Sequence, residues 1–210
     1  MKDVLRIEDL TKKFKKKNFF SSDSDEVIAA DSVNFSLEQG KILAIAGQSG
    51  SGKTTIAKLI LRAIKPDSGK IFHNQKEIMD NSDELKKFRM KCQMIYQDPY
   101  DSINPRMTIS DIVSEPLEIH NIGTKKEREQ RVIETLEKVK LEPAEEISKK
   151  YPHMLSGGQR QRIVIARAIV GQPEIIIADE PVSMLDVSIR AEILELMKEI
   201  QNKNNISMIY

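Results

Sequence analysis

The chain has 210 residues, enough for one well-buried domain, and its 33 lysine and arginine residues are balanced by 32 aspartate and glutamate residues. Such a balance gives no indication of a nucleic-acid partner, and the single cysteine, Cys92, excludes an internal disulfide. Cys92 is expected to pack in the interior, the alternative being a catalytic thiol. No apolar stretch approaches the roughly 20 residues of a membrane span, so a role at a membrane requires a separate membrane subunit.

Two strands are predicted in the first part of the chain, at residues 4–10 and 33–37. In the second strand apolar and polar residues alternate, which is typical of a half-exposed antiparallel strand. Between the strands, residues 12–26 combine a lysine run with a serine and aspartate cluster. This composition predicts a long surface loop, with an anion-binding or membrane-facing contact as the alternative.

A glycine-rich loop lies between a predicted strand and a predicted helix. The strand is the apolar run at residues 41–47, which could be buried on both faces, and the helix covers residues 54–64. The loop itself, GQSGSGKT at residues 47–54, matches the pattern G-x-x-x-x-G-K followed by Ser or Thr. In this setting the glycines turn backbone N–H groups toward a phosphate, and the helix N-terminus adds partial positive charge. An ordinary glycine turn is the alternative.

The end of this loop carries two side chains with specific expected roles. Lys53 is expected to reach the β- and γ-phosphates of a nucleotide, and the Thr54 hydroxyl is expected to bind Mg²⁺. The loop residues predicted to bind the nucleotide are Gly47, Gln48, Ser49, Gly50, Ser51, Gly52, Lys53, Thr54 and Thr55.

The second half of the chain supplies a pair of carboxylates at a strand end. Residues 98–168 are predicted to be mainly helical, because apolar residues recur there at helical spacing. Residues 174–178 then form a short apolar run that predicts a buried strand, and Asp179 and Glu180 follow it directly. Asp179 is expected to hold Mg²⁺, and Glu180 is expected to orient or deprotonate the attacking water. An ordinary surface pair is the alternative.

A second glycine-rich helix start lies at LSGGQ, residues 155–159. Ser156 can cap the helix, and Gly157 and Gly158 leave its N-terminal amides open to an anion. One nucleotide cannot easily contact both helix ends if they lie far apart. This segment therefore predicts a second phosphate-binding end in a nucleotide hydrolase.

With these motifs in this order, the chain resembles the ATP-binding cassettes of ABC transporters, whose signature is LSGGQ. The resemblance covers nearly the whole chain. It implies an α/β fold, with a P-loop nucleotide hydrolase core, an antiparallel β-subdomain and a helical subdomain insert at about residues 98–168. In that family the signature of one subunit, here Ser156, Gly157, Gly158 and Gln159, closes over the ATP held by a second cassette.

The resemblance also assigns roles to three further residues. Gln97 matches the Q-loop glutamine, which contacts Mg²⁺ and the attacking water, and Asp186 matches the D-loop aspartate at the dimer interface. Phe14 lies where the family places an aromatic ring that stacks on adenine, and a core position is the alternative. Catalysis is therefore expected from Lys53, Gln97 and Glu180, by electrostatic positioning more than by covalent chemistry.

A narrower resemblance concerns the segment QDPYDSINPRMT, which begins at Gln97, and the segment HMLSGGQRQRIVIARA. Both are similar to segments in the cassettes of oligopeptide and dipeptide importers, a subfamily that also serves some oligosaccharide and nickel uptake systems. This similarity implies an ATPase that powers import through partner permease subunits. Such a subunit is expected to be cytoplasmic and to lie on the inner face of the cell membrane.

The end of the chain departs from the family pattern. A helix is predicted from about Ser188 and a buried strand at the final ISMIY, after which the family has a histidine that contacts the γ-phosphate. The chain stops at Tyr210, and His73, His120 and His153 are expected to be ordinary residues. The sequence therefore predicts a single truncated cassette that binds ATP and hydrolyses it very slowly. A nucleotide-binding module with negligible turnover and an ABC ATPase not involved in transport are the two alternatives.

Overall fold

The fold alternates strands and helices, and the computed structural model describes it for residues 2–16 and 25–210. The strands in these ranges are β1 (Asp3–Lys16), β2 (Asp25–Glu38), β3 (Ile42–Leu43), β4 (Ser68–His73), β5 (Lys76–Glu77), β6 (Cys92–Ile95), β7 (Ile175–Ala178) and β8 (Ser207–Ile209). The helices are α1 (Lys53–Ile60), α2 (Ser82–Lys91), α3 (Pro99–Ser102), α4 (Ile109–Ile119), α5 (Lys125–Lys138), α6 (Ala144–Ser148), α7 (Gly157–Ile169) and α8 (Val187–Asn204), with a 3₁₀ turn at Pro152–Met154.

The strands form two four-stranded sheets with different pairing. The first sheet has the order β2-β1-β4-β5 and is antiparallel, whereas the second has the order β3-β8-β7-β6 and is parallel. Parallel neighbours need long crossover connections, and the helices supply them here. The predicted fold class, an α/β core with an antiparallel β-sheet and additional helices, is confirmed.

Strand β7 is apolar on both faces because both faces are covered. Ile175 and Ile177 pack into the cluster formed with the antiparallel sheet and α1, whereas Ile176 and Ala178 pack into the cluster formed with α4, α5, α7 and α8. Each of these four side chains is at most 2% exposed. Burying one isoleucine contributes about 1.5–3 kcal/mol, so this strand is a rigid support for the residues that follow it.

The elements predicted in the second half of the chain are present. The strand at 174–178, the helix from about Ser188 and the final strand correspond to β7, α8 and β8. Residues 98–168 contain α3 to α6, the 3₁₀ turn and nearly all of α7. None of the helices in the described ranges combines the length and the apolar character that a membrane span requires.

The prediction of a surface loop at residues 12–26 is wrong at both ends, where the structure has strands instead. β1 and β2 are each 14 residues long and extend into the predicted loop. Phe14 pairs with Val27 in this extension. Lysine side chains are compatible with an antiparallel strand because they can stand on its solvent face. The rest of the predicted loop, residues 17–24, lies outside the described residues.

Two predicted elements beside the phosphate loop are longer than the observed ones. The strand predicted to be buried on both faces is regular only over β3, where Ile42 is 48% exposed because β3 lies at the edge of its sheet. Helix α1 ends earlier than predicted. The Arg89 guanidinium donates hydrogen bonds to the carbonyls of Leu61 and Arg62, at 3.1 and 2.7 Å, and so satisfies two groups at the helix end.

The cysteine and the three histidines lie in separate surroundings. Cys92 is 1% exposed, and burial raises the pKa of its thiol far above the ordinary value, which opposes a reactive thiolate. His73 Nε2 lies 3.0 Å from Glu174 Oε2, His120 ends α4, and the ring of His153 stacks on a tyrosine. Within the described residues, no group of three or more His, Cys, Asp or Glu side chains is arranged to hold a metal ion.

Candidate nucleotide site

The phosphate loop enters α1 through two glycines with positive φ. Gly50 has a φ of 80° and Gly52 a φ of 94°, in the region that glycine adopts at little cost. Gly52 is the N-cap of α1, and a Cβ at this position would collide with the Ala29 carbonyl oxygen of β2. As a glycine, this N-cap residue has no side chain that could cap the helix. The first N–H groups of the helix are therefore open to an anionic ligand.

The first two residues of α1 connect the loop to the end of β7. Lys53 Nζ donates hydrogen bonds to the carbonyl oxygens of Gly47 and Gln48, at 2.8 and 3.0 Å, so its ammonium group lies over the loop. Thr54 Oγ1 donates a hydrogen bond to Asp179 Oδ2 at 2.7 Å. A hydroxyl and a carboxylate that are 125 residues apart in sequence therefore meet beside the phosphate loop.

The carboxylates are held by the backbone at the end of β7. The Asp179 N–H donates to the Ile95 carbonyl oxygen at 3.0 Å, which extends the β6–β7 pairing by one residue. Glu180 has a φ of 46°, a conformation that is uncommon for a side chain of this size. Its carbonyl oxygen accepts hydrogen bonds from Ser183 N–H and Oγ, at 3.1 and 3.0 Å. Such strained conformations cluster at functional sites.

Glu180 lies between an amide and an ammonium group. Gln97 Nε2 donates a hydrogen bond to Glu180 Oε2 at 3.2 Å, and Lys53 Nζ lies 3.7 Å from Glu180 Oε1. Gln97 is two residues beyond β6, and parallel strands end at the same edge of a sheet. The structure thus brings together Lys53, Thr54, Gln97, Asp179 and Glu180, the residues for which catalytic or metal-binding roles were predicted.

The predicted signature residues lie at the N-terminus of α7 and form a closed capping box. Gln159 N–H donates to Ser156 Oγ at 3.3 Å, and Ser156 N–H donates to Gln159 Oε1 at 3.0 Å. A Cβ on Gly158 would lie only 2.9 Å from Ile189 Cγ2, so glycine allows α7 to approach α8 closely. None of the hydrogen bonds or ion pairs identified in the described part of the chain joins Ser156–Gln159 to the phosphate loop.

Asp186 and Phe14 lie apart from the contacts around Glu180. Asp186 is the exposed N-cap residue of α8, and its side chain does not cap that helix. Phe14 is 43% exposed on β1, with Lys12 Nζ 5.6 Å from its ring centre. A core position for Phe14 is therefore wrong, and its stacking on adenine stays a prediction.

Comparisons with known proteins agree with the motifs. The model of the ABC transporter family matches residues 30–183. The chain belongs to the ABC transporter family. It is 43% identical over 210 residues to the oligopeptide transport ATP-binding protein AppF of Bacillus subtilis. The aligned region covers 99% of this chain and 63% of AppF. It is also 43% identical over 196 residues to the dipeptide transport ATP-binding protein DppF of Haemophilus influenzae, which covers 93% of this chain and 59% of DppF.

Solved structures of ABC cassettes have the same fold. A dimeric, post-hydrolysis state of the ATP-binding cassette MJ0796, bound to ADP and phosphate, matches with a TM-score of 0.83 at 30% sequence identity. The match covers 98% of this ABC chain and 86% of that one. The chain spans less than two-thirds of the length of AppF and DppF.

Three residues of this ABC chain were not singled out by the sequence although they support the site. Arg190 Nε donates to the Leu185 carbonyl oxygen at 2.8 Å, and Ser183 binds the carbonyl of Glu180 as described above. Arg167 contacts the segment that follows Gln97. Arg167 stands in the apolar helical run IVIARAI, and a charged residue in such a run is a signal that it is paired.

Proposed function

We propose that this chain binds ATP with Mg²⁺ at the phosphate loop and hydrolyses it to power peptide import through partner membrane subunits. The observation that carries the proposal is the 2.7 Å contact between Thr54 Oγ1 and Asp179 Oδ2. This contact joins a hydroxyl and a carboxylate oxygen at the N-terminus of α1, where phosphate binding is favoured.

The side chains at this point fit Mg²⁺. The Thr54 hydroxyl and the Asp179 carboxylate are hard oxygen ligands, and the Gln97 amide lies in the same cleft of about 550 Å³. These residues would hold the ion, with Asp179 acting directly or through water. Bound Mg²⁺ would neutralise the charge of the phosphate oxygens.

The other groups around the loop have distinct proposed roles. The Lys53 ammonium exchanges two carbonyl oxygens of the loop for phosphate oxygens, which are stronger hydrogen-bond acceptors. The Glu180 side chain is 45% exposed, so water can reach its carboxylate. Glu180, held by Gln97, orients the attacking water and accepts its proton.

A second cassette would complete the site. The Ser156–Gln159 end of α7 makes no described contact with the phosphate loop of its own chain, which supports a role toward the nucleotide of a partner cassette. Met184 and Val187, on either side of Asp186, are 62% and 79% exposed, and a partner would cover these apolar side chains. The dimeric state of the related cassette MJ0796 supports the same arrangement. Phe14 would stack on adenine.

Peptide is the proposed cargo because AppF and DppF are named as oligopeptide and dipeptide transport proteins. Cargo would pass through permease subunits, with this chain at the inner face of the membrane and the helical subdomain, residues 98–168, toward them. Loss of labelled tripeptide uptake in cells that carry Glu180→Gln would agree with this cargo. Loss of nickel or oligosaccharide uptake with normal tripeptide uptake would contradict it.

Nucleotide binding is tested with Lys53→Ala. The substitution removes the ammonium group over the loop, and we expect the Kd for a fluorescent ATP analogue to rise by at least about 10-fold. Lys65→Ala is the matched control, since Lys65 is an exposed lysine that pairs with Asp80 beyond α1. Equal affinity of the Lys53→Ala variant and the parent protein would show that the loop is not the nucleotide site.

Hydrolysis is tested with Glu180→Gln, which preserves the shape of the side chain. We expect kcat to fall by about 10²- to 10⁴-fold while the Kd for ATP changes little, because a general base acts on the transition state. Size-exclusion chromatography with Mg-ATP should then show more dimer than for the parent protein. Unchanged turnover would contradict the role of Glu180.

A further inference from the structure

Arg167 lies in the cleft beside the proposed ATP site, although the proposed function gives it no role. It lies near the end of α7, and its side chain is 29% exposed. Thr54, Gln97 and Asp179 line the same cleft. An arginine at this position needs an explanation, because the neighbouring residues of α7 are mostly buried and apolar.

The Arg167 guanidinium joins three helices. Its Nη1 donates to the carbonyl oxygen of Ser102, the last residue of α3, at 3.0 Å. Its Nη2 lies 2.6 Å from Glu115 Oε2 on α4. The last carbonyls of a short helix have no partner within that helix, so this hydrogen bond satisfies one of them. The planar guanidinium can hold a carbonyl and a carboxylate at once, which the single ammonium of lysine does less well.

The Ser102 carbonyl that Arg167 contacts lies close in sequence to Gln97. α3 begins two residues after Gln97, so Gln97 and the anchored carbonyl are separated by a short segment, residues 98–101. At the other end of this segment, Gln97 Nε2 donates to Glu180 Oε2 at 3.2 Å. A continuous series of contacts thus runs from α7 through α3 to the carboxylate proposed to activate water.

We propose that Arg167 is a positioning residue, which holds the segment after Gln97 so that the Gln97 amide stays on Glu180. The proposal rests on the function proposed above for Gln97 and Glu180. Arg167 is also on the helix that begins at Ser156, and 11 residues of helix span about 16 Å. One rigid helix therefore carries both the signature end and the anchor of Gln97, so a movement of either is transmitted to the other.

A double-mutant cycle with Gln97 distinguishes positioning from a role in stability alone. We expect Arg167→Ala to lower kcat by about 10-fold with an ATP Kd within about twofold of the parent, since small displacements of catalytic groups have effects of this size or larger. In a Gln97→Ala background the same change should lower kcat by less than about twofold. A similar 10-fold loss in both backgrounds would overturn the proposal, because Arg167 would then act independently of Gln97.

Two variants address folding. Glu115→Gln removes the charge that pairs with Arg167 and leaves the Ser102 hydrogen bond, so we expect a smaller loss of kcat, about threefold, and again none in Gln97→Ala. It replaces Arg167→Ala in the cycle if that variant does not fold. Arg128→Ala is the matched control, because Arg128 Nε donates to the Ile122 carbonyl at 2.9 Å elsewhere in the helical region. We expect it to leave kcat unchanged.

Amide hydrogen exchange gives a readout that does not require turnover. Residues 98–103 should exchange at least about fivefold faster in Arg167→Ala than in the parent protein, and Arg128→Ala should not change them. If the parent protein shows no ATP hydrolysis, the proposed function fails, and the exchange rates alone decide whether Arg167 holds this segment. Unchanged exchange of residues 98–103 would overturn the proposal.

Discussion

Two helices of this ABC chain begin at glycine-rich motifs, and their N-termini are satisfied in opposite ways. At α1 the N-cap is Gly52, in a left-handed conformation and without a side-chain cap. At α7 the N-cap is Ser156, and a complete capping box with Gln159 occupies backbone donors at the helix start. The first N–H groups of α1 have no cap from Gly52, and an anionic ligand can accept their hydrogen bonds. At α7 the capping box already accepts such hydrogen bonds, so that helix end needs no ligand.

The two helix starts also differ in the charged side chains that surround them. The α1 end has the Lys53 ammonium over the loop and the Asp179 and Glu180 carboxylates within hydrogen-bond or ion-pair reach. The α7 end has two glycines, a serine hydroxyl and a glutamine amide, with no acidic residue in its first turn. Its fourth residue is Arg160, whose Nε donates to the Pro152 carbonyl oxygen at 2.8 Å. Under the proposed function, this difference predicts that ATP binding by one chain depends on the α1 end, and that the α7 end acts on the nucleotide of a second chain.

The largest expected effect follows from Gly52→Ala. The added Cβ would collide with the Ala29 carbonyl oxygen, and the φ of 94° is costly for any residue other than glycine. We expect the Kd for ATP to rise by at least about 100-fold, because the N–H groups of α1 lose their arrangement. We also expect a loss of about 1–3 kcal/mol in unfolding free energy. Titration with a fluorescent ATP analogue and thermal unfolding measure the two effects.

Gly50→Ala is the control for Gly52→Ala. Gly50 has a similar φ of 80°, but apart from its two adjacent residues, no atom of the described residues lies within 4 Å of an added Cβ. This variant should show the conformational cost, about 1–2 kcal/mol, without the collision. If both variants lose affinity equally, the backbone conformation of the loop controls binding and the contact with Ala29 does not.

A smaller effect is expected at the other helix. Ser156→Ala breaks the capping box, and loss of an N-cap side chain typically costs about 1 kcal/mol. For a chain of this size the Tm should fall by about 2–4 °C. The Kd of a single chain for ATP should stay within about twofold, whereas dimer formation with Mg-ATP should weaken. Calorimetry and size-exclusion chromatography measure these quantities.

Thr124→Ala provides a matched comparison for Ser156→Ala. Thr124 caps α5 with a capping box of the same kind, away from the phosphate loop. It should lower the Tm by a similar amount and leave dimer formation intact. A loss of ATP affinity in the monomeric Ser156→Ala protein would contradict the separation of the two helix ends.

The sequence predicts local motifs well and pairing partners poorly. The phosphate loop and the apolar strand before Asp179 could be predicted because each depends on residues that are adjacent in sequence. The contact between Thr54 and Asp179 could also be predicted, because the carboxyl ends of parallel strands lie at the same edge of a sheet. In contrast, residues 12–16 form a strand because β2 pairs with them, and nothing within the lysine run indicates that partner.

Contacts between distant residues set the features that could not be predicted. The end of α1 depends on the Arg89 guanidinium, 27 residues beyond Arg62 in sequence. The positive φ of Glu180 depends on the turn that Ser183 closes. The Ser102 carbonyl, at the end of the short segment after Gln97, accepts a hydrogen bond from Arg167, 65 residues further along the chain. A pattern within a short stretch of sequence carries no information on contacts between such distant residues. The arrangement around Glu180 could therefore be seen only in the structure.

The smallest expected effect is a difference in how the capping boxes of α5 and α7 respond to pH. The third residue of the α5 box is Glu127, which titrates, whereas that of α7 is Gln159, which does not. Hydrogen bonds from the Thr124 N–H and hydroxyl, at 2.6 and 2.9 Å, lower the pKa of Glu127 below its ordinary value. The stabilisation is therefore complete above the unfolded glutamate pKa of about 4.3 and is lost as the pH falls through the lower folded pKa.

Acid should accordingly loosen the start of α5 before it affects the start of α7. In an NMR titration from about pH 6 to about pH 3, the Glu127 amide should shift with a midpoint below the ordinary glutamate value of about 4.3, and the Gln159 amide should not follow it. Glu127→Gln should abolish the midpoint at α5, because the amide keeps the hydrogen bonds at all of these pH values. If the Gln159 amide shifts with the same midpoint, the whole domain is unfolding in acid, and the two boxes do not respond separately.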